Sequence, residues 1–335
     1  MLIMKRLISF ITVLFVLISG VCYGTEAQDD LTISMAGDMM FSGSVEKAVN
    51  QYGADGYFAE FTPIMRNSDL MIGNLETCLS DIGQPVADKQ YTFRGSPQMA
   101  RFLKMNNVTL VSIANNHSMD YGREAFLDML DNLERNGIRY GGGGRNRKQA
   151  ESLVLIEKKG MKIGFAAFSR VVPHVDWYAG DNTPGITGAY KVQEASVLKR
   201  ISDYRKQCDI LIVSVHWGKE GSNIPRKQEM ELAHKLVDAG ADVVMGHHPH
   251  VVQGIEMYKG SPIFYSLGNF AFTSSKSQIA NKTMLVTLKF NRYKKLASIN
   301  IKPGLIKYSR PVAMDSNQEK EFIEYLNRLN INFKL

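Results

Sequence analysis

Patterning and turn chemistry predict an α/β fold with two stacked sheets and helices outside. Apolar, β-branched runs alternate with stretches of helical period along the 335 residues. Five of these runs end in a polar or histidine-bearing turn, and a sixth near Ile263 ends in Ser266-Leu267-Gly268-Asn269. The length suffices for a large core, and the chain from residue 30 to 335 reads as a single domain.

The elements follow in order. Residues 31–36 are a short apolar strand, ended by Gly37-Asp38. Helical periodicity runs over 45–49 and again over 58–65. A strand at 70–72 ends in Gly73-Asn74-Leu75-Glu76. A helix near 97–105 leads into a strand at 108–114, which ends in Asn115-Asn116-His117. The amphipathic helix 123–135 stops at Gly137, a glycine where a helix C-terminus wants one. Apolar runs at 153–156 and 162–168 flank Lys158-Lys159-Gly160 and read as a hairpin. The connection 171–190 carries Pro173, His174, Trp177, Gly180 and Pro184, and connections that long tend to be functional. A helix over 194–206 precedes a buried strand, 209–215, that ends in His216-Trp217-Gly218. Pro225 opens a helix over 226–239. The strand 242–245 then breaks at Gly246 and delivers His247-His248-Pro249-His250. Runs at 262–267, 284–290 and 296–301 alternate like antiparallel strands, and a helix over 318–329 closes the chain.

Composition narrows the function. Hydrophobic content of 44% and charged content of 22% are those of a globular protein. Met4-Lys5-Arg6, the apolar run 7–18 and Cys22-Tyr23-Gly24 read as a secretory signal over residues 1–24. A retained N-terminal membrane anchor is the alternative, and lipidation at Cys22 is disfavoured by the branched Val21 before it. The protein is therefore expected to be exported, periplasmic or otherwise extracytoplasmic. Removing Lys5 and Arg6 with the signal lowers the formal charge from +7 to +5. That mild excess suits an anionic partner. No basic run with interleaved aromatics points to nucleic acid. Cys78 and Cys208 remain; they can pair in an oxidising compartment, and neither has metal-type spacing.

The chemistry concentrates at the strand ends. Three of seven histidines fall within four residues at 247–250, and imidazole is a common ligand for zinc-like ions. Asp38 reads either as a ligand or as a helix cap for the segment near Ser42. Glu76 reads as a ligand or a solvated loop charge, and Asn116-His117 as site residues or a capped turn. His216 ends a buried strand, where a polar ring needs a bond or a metal. Arg94 is a candidate for gripping a carboxylate or another anion, against a plain salt bridge. Glu220 and Asn269 are candidates for supporting the site and its substrate, against ordinary loop roles. His174 reads as incidental, His234 as structural, and Gly141 to Gly144 as a plain turn lacking the spacing of phosphate loops.

In chain order the set is carboxylate, carboxylate, Asn-His, His, His-x-His. That layout resembles the calcineurin-like metallophosphoesterases. Nearly the whole chain after the signal is similar to the CapA-type capsule or poly-γ-glutamate synthesis proteins. The stretches that carry the likeness are Ala36-Gly37-Asp38, Gly73-Asn74-Leu75-Glu76, the run 91–97, the run 114–122, His216-Trp217-Gly218-Lys219-Glu220, Gly246-His247-His248-Pro249-His250 and the run 265–270.

The resemblance implies a four-layer α/β/β/α sandwich of the metallo-dependent phosphatase type, holding divalent metal ions, two of them, with Mn, Zn or Fe as candidates. It implies Asp38 and His250 on one ion, Glu76 bridging, and Asn116, His216 and His248 on the other, with His117 as general acid. Paired ions generate hydroxide near neutral pH, and an adjacent His protonates what departs. Met40 stands where that family usually has a ligand, and Glu76 where it usually has Asp. His247 is left out of the ligand set. The implied role is metal-dependent hydrolysis on an anionic cell-surface polymer or its precursor, alongside membrane capsule-synthesis or export proteins. The alternative is a non-catalytic assembly component that keeps the fold and one metal or none.

Overall fold

The computed structural model describes residues 30–335; the proposed signal, residues 1–24, lies outside them. Two sheets stack face to face. The larger runs Arg310–Ala313, Leu296–Lys307, Lys282–Phe290, Leu31–Met39, Leu70–Leu75, Val108–Ser112, Arg139–Gly141, with Asn269–Ala271 also paired to Leu31–Met39. The smaller runs Ile255–Tyr258, Ser261–Phe264, Val243–His247, Ile210–His216, Met161–Ser169, Val154–Lys158.

Each central strand is apolar on both faces because each is covered on both. In Leu70–Leu75, Leu70 and Ile72 point between the sheets and Met71 and Leu75 point toward helices. In Ile210–His216, Ile210 and Ile212 point inward, while Leu211, Val213 and Val215 meet the helices of the other side. The period-two alternation thus builds three cores, and three cores between layers make a four-layer α/β/β/α sandwich. Ser44–Tyr57, Gln98–Met105 and Gly122–Arg135 cover the larger sheet; Glu194–Arg205 and Lys227–Asp238 cover the smaller. Ser316–Leu329 inserts Phe322 and Leu326 between the sheets.

The expected hairpin forms between Val154–Lys158 and Met161–Ser169. Two strand ends differ from the sequence reading. Gly37-Asp38 does not end the first strand, which runs to Met39. A Cβ at Gly37 would lie 1.8 Å from the Gly268 carbonyl oxygen, so the glycine serves close strand approach rather than termination. Gly246 likewise sits inside Val243–His247, where a Cβ would meet the Tyr265 carbonyl oxygen at 2.0 Å and Trp217 Nε1 at 2.6 Å. Cys78 and Cys208 are both free and buried, Cys78 under the helices of the larger sheet and Cys208 under those of the smaller. Among the described residues, no helix is long and apolar enough to cross a membrane.

Candidate metal centre

Parallel strands from both sheets bring their C-terminal ends to one place. Asp38 lies on the first strand, Glu76 just past Leu70–Leu75, and Asn116-His117 after Val108–Ser112. His216 ends its strand, and His248 and His250 follow Val243–His247. Both of these histidines have positive φ, 93° and 56°, a backbone cost that turns the two rings into the cluster.

The geometry is tight. Asp38 Oδ2 lies 3.2 Å from His250 Nδ1 and accepts from the His248 backbone N–H at 3.2 Å. Glu76 Oε1 lies 3.6 Å from His216 Nε2 and 3.7 Å from His250 Nε2. His216 Nε2 faces Asn116 Oδ1 at 2.7 Å. Three trios have ligand atoms all within 4.8 Å: Glu76, His216, His248; Asp38, Glu76, His250; and Glu220, His248, His250. Glu76 belongs to two of them. Asn269 orients His250, its Oδ1 3.0 Å from Nδ1. The Asp38 side chain caps no helix; the helix Ser44–Tyr57 starts without a side-chain cap.

Electrostatics show what the cluster lacks on its own. Burial would raise the Asp38 carboxyl, but bonds from His247 and His250 outweigh it and hold Asp38 well below the usual range. Burial and the Asp38 charge push Glu76 well up. Burial drives His216 well down and takes His248 to about 3, with the neighbouring imidazoles adding to both shifts. Burial opposes the proton on His250, yet Glu76 and the bond to Asp38 hold it up to about 10. Two fully buried carboxylates this close do not both ionise easily without a cation. Glu76 Oε1, His247 Nε2 and His248 Nδ1 are buried with no hydrogen-bond partner. Unpartnered atoms on Glu76 and His248, which share a trio, are what a divalent cation uses. The residues fit the metal.

His117 lies beside the cluster, nearly buried, stacked on Phe93 at 4.1 Å between ring centroids. Its Nδ1 sits 2.7 Å from Asp120 Oδ2 and 3.0 Å from Lys89 Nζ. Lys89 also donates to Asp120 Oδ1 and the Asn116 carbonyl, and Phe93 N donates to Asp120 Oδ2 at 2.7 Å. Burial lowers both His117 and Lys89 against the pull of Asp120.

Arg94 is placed differently from its sequence reading. Its Nη2 donates to the Ile82 and Gly83 carbonyls at 2.8 and 2.7 Å, and its guanidinium lies 3.7 Å from the Tyr121 ring centroid. Those contacts tie Nη2 to the loop, while Nε is buried without a hydrogen-bond partner. His234 is structural as read: it meets Glu256 at 3.0 Å and stacks on Tyr258. His174 is exposed on its loop.

Sequence reasoning missed four contributors and set a fifth, His247, aside. Asn74 Nδ2 donates to Asp38 Oδ1 at 2.9 Å and Glu76 Oε2 at 3.2 Å, joining both carboxylates. Asn115 Nδ2 holds Asn74 Oδ1 at 3.1 Å, and its Oδ1 accepts from the His117 N–H at 3.0 Å, an Asx turn. Asp120 and Lys89 brace His117. His247 bonds Asp38 at 3.1 Å through Nδ1. Asn74, Asn115, Asp120 and His247 lie inside the motif stretches, so their positions offered a signal; Lys89 sits in a loop and offered none.

Fold and site together define an α/β/β/α sandwich with a carboxylate–imidazole cluster of candidate metal ligands at its strand ends. The family model for the bacterial capsule synthesis protein PGA_cap matches residues 32–274, and the chain belongs to that family. The match stops short of the antiparallel strands from Lys282 onward, which nevertheless complete the larger sheet. The chain is 37% identical over 250 residues to the PGA biosynthesis protein CapA of Bacillus subtilis (strain 168), covering 74% of this chain and 65% of that one. It is 34% identical over 252 residues to the capsule biosynthesis protein CapA of Bacillus anthracis, covering 73% and 60%. The chain thus spans just under two thirds of the length of these relatives. A 5'-nucleotidase precursor from Thermus thermophilus superposes with TM-score 0.46 and 14% identity, over 90% of this chain and 59% of that one. A likeness that loose carries no argument.

Proposed function

We propose that this chain is an exported component of capsule or poly-γ-glutamate biosynthesis whose strand-end cluster is a two-ion, metal-dependent hydrolytic site. The observation that carries the site reading is Glu76, a fully buried carboxylate with one unpartnered oxygen, shared between two ligand trios. Family membership supports the biological setting. Export rests on residues 1–24, as read from the sequence.

Asp38, Glu76 and His250 would hold one ion, and Glu76, Asn116, His216 and His248 the other. Bound there, divalent ions supply Lewis acidity and a water acidified toward neutral pH. The chain supplies the rest. Asn74 aims both carboxylates, and Asn115 aims Asn74. Asp120 engages Nδ1 of His117, which leaves Nε2 as the atom that passes a proton to a departing oxygen or nitrogen. The substrate class is a phosphoester or amide bond in an anionic cell-surface polymer or its precursor, with membrane capsule-synthesis proteins as partners.

A second reading, a non-catalytic assembly component, is favoured by Met40. It lies 4% exposed in the helix-side core and offers no ligand from that strand. Metal analysis of the purified protein, beside Asp38→Ala and His248→Ala, separates the two when the same samples are assayed on an aryl phosphate ester and on poly-γ-glutamate. The hydrolytic reading expects about two ions per chain and turnover, both lost in each variant. One ion or none, with no turnover on either substrate, leaves the assembly reading.

A further inference from the structure

Among the described residues, no hydrogen bond or ion pair explains Glu220. It lies exposed in the turn after His216, yet its carboxylate stands within 4.8 Å of ligand atoms on His248 and His250. The turn is stapled to the histidine segment. Trp217 N donates to the His247 carbonyl at 3.0 Å, and Gly221 N donates to the Pro249 carbonyl at 2.8 Å. Arg226 Nη2 holds the Gly218 carbonyl at 3.1 Å, and Gln253 Nε2 holds the Ser222 carbonyl at 2.7 Å. Gly218 takes φ +95° with a Cβ position only 3.0 Å from the Pro249 ring, so the turn lies flat on the proline between the two histidines. A carboxylate on so fixed a turn is aimed, whatever its exposure.

We infer that Glu220 is a ligand of the metal centre, the third carboxylate, added from the solvent side to one of the two ions that His248 and His250 would hold. The inference rests on the two-ion reading above. His248 Nδ1, buried without a partner, is the independent sign that a group is due here. Charge argues the same way. Two divalent ions carry four positive charges, Asp38 and Glu76 answer two, and Lys89 is already answered by Asp120. A third carboxylate leaves one positive charge, enough to draw a hydroxide or one anionic group of a substrate and no more.

The test is calorimetric titration of Mn2+ into the metal-stripped full chain, as wild type, Glu220→Gln and Glu220→Asp. Because the side chain is exposed, the metal-free variants should melt with wild type, which checks their folding. Glu220→Gln is expected to weaken Mn2+ binding at one site by more than the roughly 10- to 100-fold that loss of an outer-shell group costs, and Glu220→Asp to recover part of it. An isotherm for Glu220→Gln that matches a metal-binding wild type overturns the assignment of Glu220 and leaves the metal centre standing. A wild type that binds no Mn2+, Zn2+ or Fe2+ overturns both.

Discussion

His117 and its two braces show how the site is tuned residue by residue. One ring nitrogen faces both a carboxylate and an ammonium, and it donates to the first or accepts from the second. Asp120, bonded by Lys89 and by Phe93 N, is charge-balanced and rigid, so it holds the ring without a full charge of its own to spend. Asp120→Asn and His117→Ala are therefore expected to leave metal content unchanged while lowering turnover on an activated phosphate ester by about 10²- to 10⁴-fold. Equal losses of metal and turnover would contradict a proton-transfer role. The candidate ligands were legible in the sequence because each sits at a strand end in a recognisable motif. Their orienters were less so. Asn74 and Asp120 look like ordinary loop polar residues until the fold shows what they touch, and Lys89 comes from a loop whose path no local pattern records. The Arg94 contacts were hidden in the same way: Nη2 donates to the Ile82 and Gly83 carbonyls, which no local pattern announces.

At the scale of elements, strand ends do the positioning, and two glycines permit it. Gly246→Ala forces a Cβ onto the Tyr265 carbonyl and Trp217 Nε1, and is expected to cost roughly 3 kcal/mol by overpacking. Urea denaturation measures that loss, and weaker metal binding should accompany it, since His247 and His248 follow directly. Both glycines were legible as strand-end signals but assigned the wrong physics, because a sequence cannot show a neighbouring backbone crossing so close. The far end of the larger sheet offers a pH test. Burial would raise Asp69, but the Thr32 N–H and hydroxyl, both at 2.8 Å, and Lys159 at 3.0 Å outweigh it and lower its pKa. A carboxyl depressed in the folded state adds stability above its unfolded value of about 4 and loses it as pH falls through the folded value. Asp69→Asn should thus be less stable than wild type by about 1 kcal/mol at pH 7, with the gap closing below about pH 4. A gap that persists at low pH would assign the loss to shape rather than charge.

For the whole molecule, the four layers follow from one rule, that a strand apolar on both faces needs cover on both. That much was legible in the alternation of Leu70 to Ile72 and Ile210 to Val215. The pairing of Asn269–Ala271 beside the first strand, which puts Asn269 next to His250, was not, since it joins residues more than 200 apart. The same layering buries Cys78 and Cys208 in separate cores, with burial pushing the Cys78 thiol up to about 12. Neither should react with maleimide in the native protein, and both should react in guanidinium; native labelling of either would contradict the packing. Metal that binds only the folded state should raise its stability by about 2.7 kcal/mol at a hundredfold excess over Kd. The account as a whole turns on Glu76 as a bridge between two ions. Anomalous diffraction from crystals of the Mn2+-loaded protein reads this directly. Two peaks are predicted, one among Glu76, His216 and His248 and one among Asp38, Glu76 and His250; a single peak away from Glu76, or none in the cluster, would contradict it.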